Sequence, residues 1–269
     1  MTAIALTIAG SDSSGGAGIQ ADLKTFSALG VYGAAVITAL TAQNTREVRG
    51  VHAVPAEFVA QQIDAVFDDL DIRAIKLGML GSAETVILIG QRLRAHGARN
   101  VVLDPVMVSK SGAKLLASDA IDALKRELVP LATVITPNLP EAAVLLGVSE
   151  KEVAAEPERS CRDLSKLGAR AVVLKGGHAG GDASDDLLWD GRELQRFRAR
   201  RTVTENTHGT GCTFSSAIAA FLARGSTLAE AVGGAKSYVT AAIEAARDWH
   251  IGVGHGPVHH FHALWPKEQ

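Results

Sequence analysis

The chain has 269 residues, 47% hydrophobic and 21% charged, with 27 basic against 29 acidic side chains and a net charge of −2. That balance supports one large domain or two small ones, excludes bulk disorder, and leaves no basic field for nucleic acid. Two cysteines without metal-type spacing, no apolar run near the ~18 residues of a membrane helix, and an apolar start at 1–10 without a basic leader predict a soluble, cytoplasmic protein.

In chain order, 4–9 is an apolar run of strand type, and 19–29 is helical, with Ile19, Leu23, Phe26 and Leu29 on one face and Gly30 as the stop. A second strand is predicted over 34–41. Pro55 opens a helix through Asp69, with Phe58, Ile63, Val66 and Phe67 as its apolar residues. A short strand at 74–77 follows, then a helix capped by Ser82 and running to about His96. The segment 101–103 is a buried strand ending at Asp104, 118–128 a helix, 133–135 a strand ending before Asn138, and 158–167 a helix. The strand 171–174 ends at Lys175. The segments 187–189 and 193–199 read as paired strands around an Asp-Gly turn, and 213–223 and 228–247 as two long helices.

Strands alternating with helices, with no linker and no repeat, predict one α/β domain over 1–269 with a mostly parallel sheet. Ligands of such sheets sit at the carboxyl ends of the strands. Asp12, Gln43, Asp104, Asn138 and Lys175 all fall just past a strand end, which makes them one candidate site. Glycine is enriched, at 27 residues, and clusters at 15–18, 176–177, 180–181 and 209–211. Such clusters suit backbone that approaches a ligand closely. The Gly- and Asp-rich stretch 180–186 reads as a mobile surface loop. Arg196, Arg198, Arg200 and Arg201 form a short basic cluster that reads as a solvated strand face.

The strongest local signal is Asn206-Thr207-His208-Gly209-Thr210-Gly211-Cys212-Thr213, which runs straight into a helix. The amides of Gly209 to Cys212 would lie unpartnered at the positive end of that helix and offer a phosphate or oxyanion site. An ordinary glycine-rich cap has the same look. Cys212 falls in the first turn, where the helix dipole lowers a thiol pKa, or it is simply a small buried residue. The loop from Gly10 to Gly18 is neither GxGxxG nor a Walker loop, and by itself is a ligand loop or a tight turn. Asp22, four residues on, points at a ligand or at solvent. Asn138 and Glu141 are spaced to organise a hydrated Mg²⁺, or to act as helix cap and first-turn acid. Lys175 with Gly176, Gly177 and His178 suits a nucleotide phosphate. The histidines at 259, 260 and 262 fit no standard zinc spacing.

Taken together, these stretches resemble the ribokinase-like superfamily. Ala9 to Phe26, Thr41 to Thr45, Lys76 to Leu80, Asp104 to Met107, Thr136 to Ala142, Lys175 to His178, Thr207 to Cys212 and the His-rich tail resemble its hydroxymethylpyrimidine/phosphomethylpyrimidine kinase branch. The resemblance implies a three-layer fold, a mostly parallel central sheet flanked by helices, usually as a homodimer, with ATP and Mg²⁺. It implies a small-molecule substrate, 4-amino-5-hydroxymethyl-2-methylpyrimidine, phosphorylated to its monophosphate and then to its diphosphate in thiamine biosynthesis. By position it implies Gln43, Asp22, Gly10, Met79 and Val106 as substrate-binding; Asn138, Lys175 and His208 as ATP-binding; Asp104 and Glu141 as metal-organising; and Cys212 with Gly209, Thr210 and Gly211 as catalytic. It makes 178–186 a flap over ATP. Sugar kinases of the superfamily have Asp as base where Cys212 stands, and the change suits an acceptor that is itself a phosphate. Pyridoxal or pyridoxine kinase and a non-catalytic pyrimidine-binding protein remain the alternatives.

Overall fold

The computed structural model describes residues 2–107, 118–176 and 183–266. His178 and most of the expected 178–186 flap lie outside them. An eight-stranded sheet forms the centre, in the order β10-β9-β8-β7-β6-β5-β1-β2. The strands are β1 (Ile4–Ala9), β2 (Tyr32–Ile37), β5 (Ala74–Leu77), β6 (Val101–Leu103), β7 (Val134–Ile135), β8 (Val172–Leu174), β9 (Asp186–Trp189) and β10 (Leu194–Phe197). The pairs from β2 to β8 are parallel, and β9 and β10 add an antiparallel edge.

The central strands are short and apolar throughout because helices cover both faces. Alternate residues go to opposite sides. Leu6, Ile75, Leu103, Ile135 and Leu174 pack against α2 (Ala56–Phe67), α3 (Ala83–Ala95), α4 (Ser118–Glu127), α5 (Leu139–Leu146) and α7 (Pro157–Ser165). Ala5, Ala74, Val102, Val134 and Val173 face α1 (Gly18–Ala28), α8 (Thr210–Ala223) and α9 (Leu228–Ala245). On that second side Ala5 and Ala74 are small, and α8 itself brings Ala217, Ile218, Ala219 and Ala220, so helix and sheet approach closely. This seats α8 over β1, β5 and β6.

The strand expected over 34–41 is two strands. β2 ends at Ile37, and β3 (Ala39–Gln43) leaves the sheet to pair antiparallel with β4 (Val48–Ala53). Thr38 makes the corner: its amide donates to Ala9 O and its hydroxyl to Met79 O. β4 was not predicted, because five of its six residues are exposed and it carries no apolar run. The short helix α6 (Glu150–Ala155) has no counterpart in the sequence reading, which offers α5 only through its cap, Asn138, and first-turn acid, Glu141. Both are set by capping boxes, Asn138 with Glu141 and Ser149 with Glu152. In α2 the buried face is Val59, Ala60 and Ile63, while Phe58 faces solvent. No described helix is long and apolar enough to cross a membrane.

Candidate active site

The carboxyl ends of β1, β5, β6, β7 and β8 lie side by side, so the residues just beyond them form one row: Gly10 to Asp12, Gly78 and Met79, Asp104, Asn138, and Lys175. The start of α8 closes that row from above. Between them is a cleft of about 760 Å³ lined by Gly10, Asp12, Gln43, Lys76, Met79, Asp104, Val106, Asn138, Glu141, Lys175 and the 207–212 turn. Of the sequence-selected residues, Gly10, Gln43, Met79, Val106, Asp104, Asn138, Glu141, Lys175, His208, Gly209, Thr210, Gly211 and Cys212 all border it.

The turn into α8 is held in a left-handed conformation at Gly209, φ 78°. A Cβ there would overlap the Gly16 carbonyl oxygen, so glycine is required on steric grounds as well. Thr210 N donates to Thr207 O, and Thr213 N begins the helical ladder on Gly209 O. The amides of Gly209, Gly211 and Cys212 find no acceptor among the described residues. They are the unpaired donors that a helix start offers to an anion.

At one end of the cleft stand Asp104, Lys175 and Glu141. Lys175 Nζ is 2.8 Å from Asp104 Oδ1 and 3.8 Å from Glu141 Oε2. Thr136 and Ser215 hydroxyls also donate to Asp104, at 3.1 and 3.2 Å. Burial alone would raise the Asp104 pKa, but Lys175 and Lys76 override it and hold the carboxyl below its ordinary value. Glu141 goes the other way. Burial raises it to about 7, against the pull of Lys175 and with the help of the Asp104 charge. The cap reading of Asn138 and Glu141 holds, since the two side chains close the capping box of α5, and both border the cleft.

Gly10, Gln43, Met79 and Val106 border the other end. The loop between β1 and α1 is organised by Asp12, at the end of β1. Its carboxylate accepts from Ser14 N and Oγ, Gly16 N and Ala17 N, all within 3.1 Å. His208 Nε2 lies 2.8 Å from Asp12 Oδ2 and must donate, since a carboxylate only accepts. Burial would raise Asp12, yet the bonds from His208 and Ser14 hold it down at about 2. His208, expected to bind ATP, stands against Asp12 and 3.4 Å from the Gln43 amide. The Gln43 backbone is tied to Ser13 Oγ in both directions, at 2.8 and 2.9 Å.

Two expectations change. Asp22 does not border the cleft. It is fully buried, accepting from Thr7 Oγ1 at 2.6 Å, Ser216 Oγ at 2.6 Å and Lys76 Nζ at 2.9 Å. Cys212 does not have a lowered pKa. Burial pushes its thiol up to about 11, Lys76 opposing and Asp22 and Asp104 reinforcing, so desolvation outweighs the helix dipole. Lys76 is the residue sequence reasoning missed. Burial alone would depress its ammonium, but Asp22 keeps it charged and raises its pKa. The signal was present, since a lysine inside the four-residue buried strand Ala74-Ile75-Lys76-Leu77 demands a buried carboxylate.

Among the described residues no group of three or more His, Cys, Asp or Glu forms a metal cage. Asp104 and Glu141 instead fit an Mg²⁺ that arrives with a nucleotide and keeps its waters, since that ion is commonly held by one or two carboxylates plus phosphates.

The phosphomethylpyrimidine kinase family model matches residues 12–259. The chain is 58% identical over 265 residues to the hydroxymethylpyrimidine/phosphomethylpyrimidine kinase of Rhizobium meliloti, covering 98% of this chain and 99% of that one. Among solved structures it resembles the pyridoxal kinase of Staphylococcus aureus in complex with AMP-PCP and pyridoxal, with TM-score 0.88 and 35% identity over 98% of this chain and 95% of that one. It also resembles the phosphomethylpyrimidine kinase of Clostridium difficile, with TM-score 0.78 and 44% identity over 89% and 99%. The fold is the one these neighbours share, a mostly parallel sheet between two helical layers, as the ribokinase-like resemblance implied.

Proposed function

Because the chain belongs to the phosphomethylpyrimidine kinase family, we propose that it transfers phosphoryl groups from ATP to 4-amino-5-hydroxymethyl-2-methylpyrimidine and then to the resulting monophosphate, in thiamine biosynthesis. The observation that carries this is the set of unpaired amides at Gly209, Gly211 and Cys212. They open into the same cleft as Lys175, Asp104 and Glu141 at one end and Gln43, Met79 and Val106 at the other. Phosphoryl transfer needs positioning and charge stabilisation more than covalent chemistry. Lys175 and Asn138 hold the nucleotide phosphates. Asp104 and Glu141 would hold Mg²⁺, which when bound would screen charge on the transferring group. Gln43 meets the amino and ring-nitrogen edge of the pyrimidine, because its amide offers one donor and one acceptor group. Met79 and Val106 pack against the ring. His208, locked by Asp12, fixes the floor beside Gln43 and bridges the first glycine loop to the α8 turn.

With its pKa pushed up to about 11 by burial, Cys212 is a protonated thiol at neutral pH. Its contribution is the amide and a small neutral side chain rather than a standing base. That suits a second acceptor that is already ionised. The enzyme works as a homodimer in the cytoplasm, as the resemblance implies, and sedimentation checks the first half of that statement.

A second reading has one observation behind it: the pyridoxal kinase superposes better than the phosphomethylpyrimidine kinase, 0.88 against 0.78, although it is less identical. An ADP-coupled assay with hydroxymethylpyrimidine, its monophosphate and pyridoxal in parallel decides. Turnover of both pyrimidines is expected, with pyridoxal slower. Turnover of pyridoxal alone, or of nothing, overturns the proposal.

A further inference from the structure

The α8 helix carries two adjacent serines, and each begins a chain of the same kind. Ser215 Oγ, which shares its one proton among the Gly211 and Cys212 carbonyls and Asp104, lies 3.2 Å from Asp104, which holds Lys175. Ser216 Oγ donates to Asp22, which holds Lys76. Ser215 and Ser216 sit one helical turn below Gly211 and Cys212, so a buried lysine–carboxylate pair stands on either side of the anion turn.

The two pairs face the cleft differently. Asp104 and Lys175 both border it, so their charges partly cancel there. Lys76 borders it and Asp22 does not. The second pair is therefore a fixed dipole with its positive end toward the cleft. It cannot turn away, because Asp22 is fixed by three partners and both side chains are wholly shielded from water. Its place is also defined. A Cβ added at Gly78 would lie 2.7 Å from Lys76 Nζ and 3.0 Å from the Ala9 side chain, while one added at Gly10 would lie 3.0 Å from the Met79 sulfur. Lys76 thus stands beneath the strand ends at Gly10 and Gly78, within electrostatic reach of Cys212 and Asp104 as well.

Resting on the function proposed above, we propose that Lys76, fixed by Asp22 and Ser216, is the buried cation that lets this cleft accept an acceptor already bearing a phosphate, and so governs the second phosphoryl transfer over the first. The unphosphorylated pyrimidine is neutral at its hydroxymethyl group and feels the dipole little. Its monophosphate brings between one and two negative charges into the cleft beside a cation that is itself shielded from water, where that fixed charge is screened least. In the reaction the monophosphate oxygen attacks the γ-phosphorus of ATP. The bond from that phosphorus to the β-bridging oxygen breaks, and the electron pair leaves with ADP.

The test is the ratio of kcat/KM for the monophosphate to that for the unphosphorylated pyrimidine, measured in the full-length protein. Lys76→Met leaves Asp22 uncompensated and can fail to fold. The double variant Asp22→Asn with Lys76→Met removes both charges together, a change that buried pairs commonly tolerate. In the double variant the ratio is expected to fall at least about tenfold, through a raised KM for the monophosphate, with a matching loss in its direct binding by calorimetry without ATP. A ratio unchanged from wild type in a folded double variant overturns the proposal. A wild type that phosphorylates neither pyrimidine removes the function reading itself, a result distinct from an unchanged ratio.

Discussion

Cys212 shows how far burial decides what one side chain can do. A thiol at a helix start gains from the dipole by a fraction of a unit to a few units, but here desolvation and two nearby carboxylates outweigh it. Thiol alkylation is accordingly expected to be slow at pH 7 and to accelerate about tenfold per pH unit toward about 11. A plateau near pH 7 would show a thiolate that the structure does not provide. Replacing the neutral thiol with a carboxylate has a directional consequence. At ~4 Å and an effective dielectric of ~20, a like charge costs up to about 4 kcal/mol per unit. Cys212→Asp is therefore expected to depress kcat/KM for the monophosphate at least about tenfold more than for the unphosphorylated pyrimidine. Equal losses on the two acceptors would mean that charge repulsion is not what keeps a carboxylate out of this position.

At the level of elements, apolar periodicity located every strand of the parallel core and the helices α1, α2, α3, α4, α7, α8 and α9 to within a few residues, because burial on both faces writes itself into the sequence. It failed where hydrogen bonding rather than burial sets the structure: at Thr38, where one threonine turns the chain between two sheets, in the exposed β4, and in the capped α6; of α5 only the cap at Asn138 and Glu141 was legible. The candidate site was legible for a related reason. Polar residues stranded at the ends of apolar strands have few structural uses, so Asp104, Asn138 and Lys175 stood out. Asp22 and Lys76 could not be paired from sequence, since 54 residues separate them and only the packing of α1 on β1, whose neighbour in the sheet is β5, brings them together. Asp12 belongs to the same class. Its bonds to Ser14, Gly16, Ala17 and His208 tie the β1–α1 loop to the α8 turn, and bonds to a charged acceptor contribute about 1.5–3 kcal/mol each. Asp12→Asn keeps the shape and loses the charge. It is expected to destabilise by about 2 kcal/mol, and to raise KM for the acceptor more than KM for ATP because His208 stands beside Gln43. Thermal denaturation and steady-state kinetics check the two halves. An ATP-side effect alone would make His208 the ATP-binding residue that the resemblance implies.

For the molecule as a whole, opposed titrations set the response to pH. Asp12 and Asp104 have depressed pKa values when folded, so the stability they contribute is present above about pH 4 and is lost as pH falls through their folded values. His260 acts over a wider window. It is buried, accepts or donates at Thr213 Oγ1 at 3.1 Å, and burial, with Lys24, His259 and His262 nearby, holds its pKa at about 3. Between pH 3 and the ordinary 6.5 the unfolded chain binds a proton there that the folded chain refuses, so stability climbs with pH across that range. Glu141 opposes it. Folded, it keeps its proton up to about 7 where the unfolded chain releases it near 4.5, so its term falls as pH rises from 4.5 to 7. Each slope approaches about 1.4 kcal/mol per pH unit at full effect, and the two have opposite sign between 4.5 and 6.5. Urea denaturation of the ligand-free protein is therefore expected to show stability rising steeply from pH 3 to about 4.5 and then nearly level to 6.5. In Glu141→Gln the opposing term is gone, and stability should keep rising to 6.5. Parallel curves for the two proteins across that window would mean that Glu141 is ionised in the folded state and that Lys175, not burial, controls it.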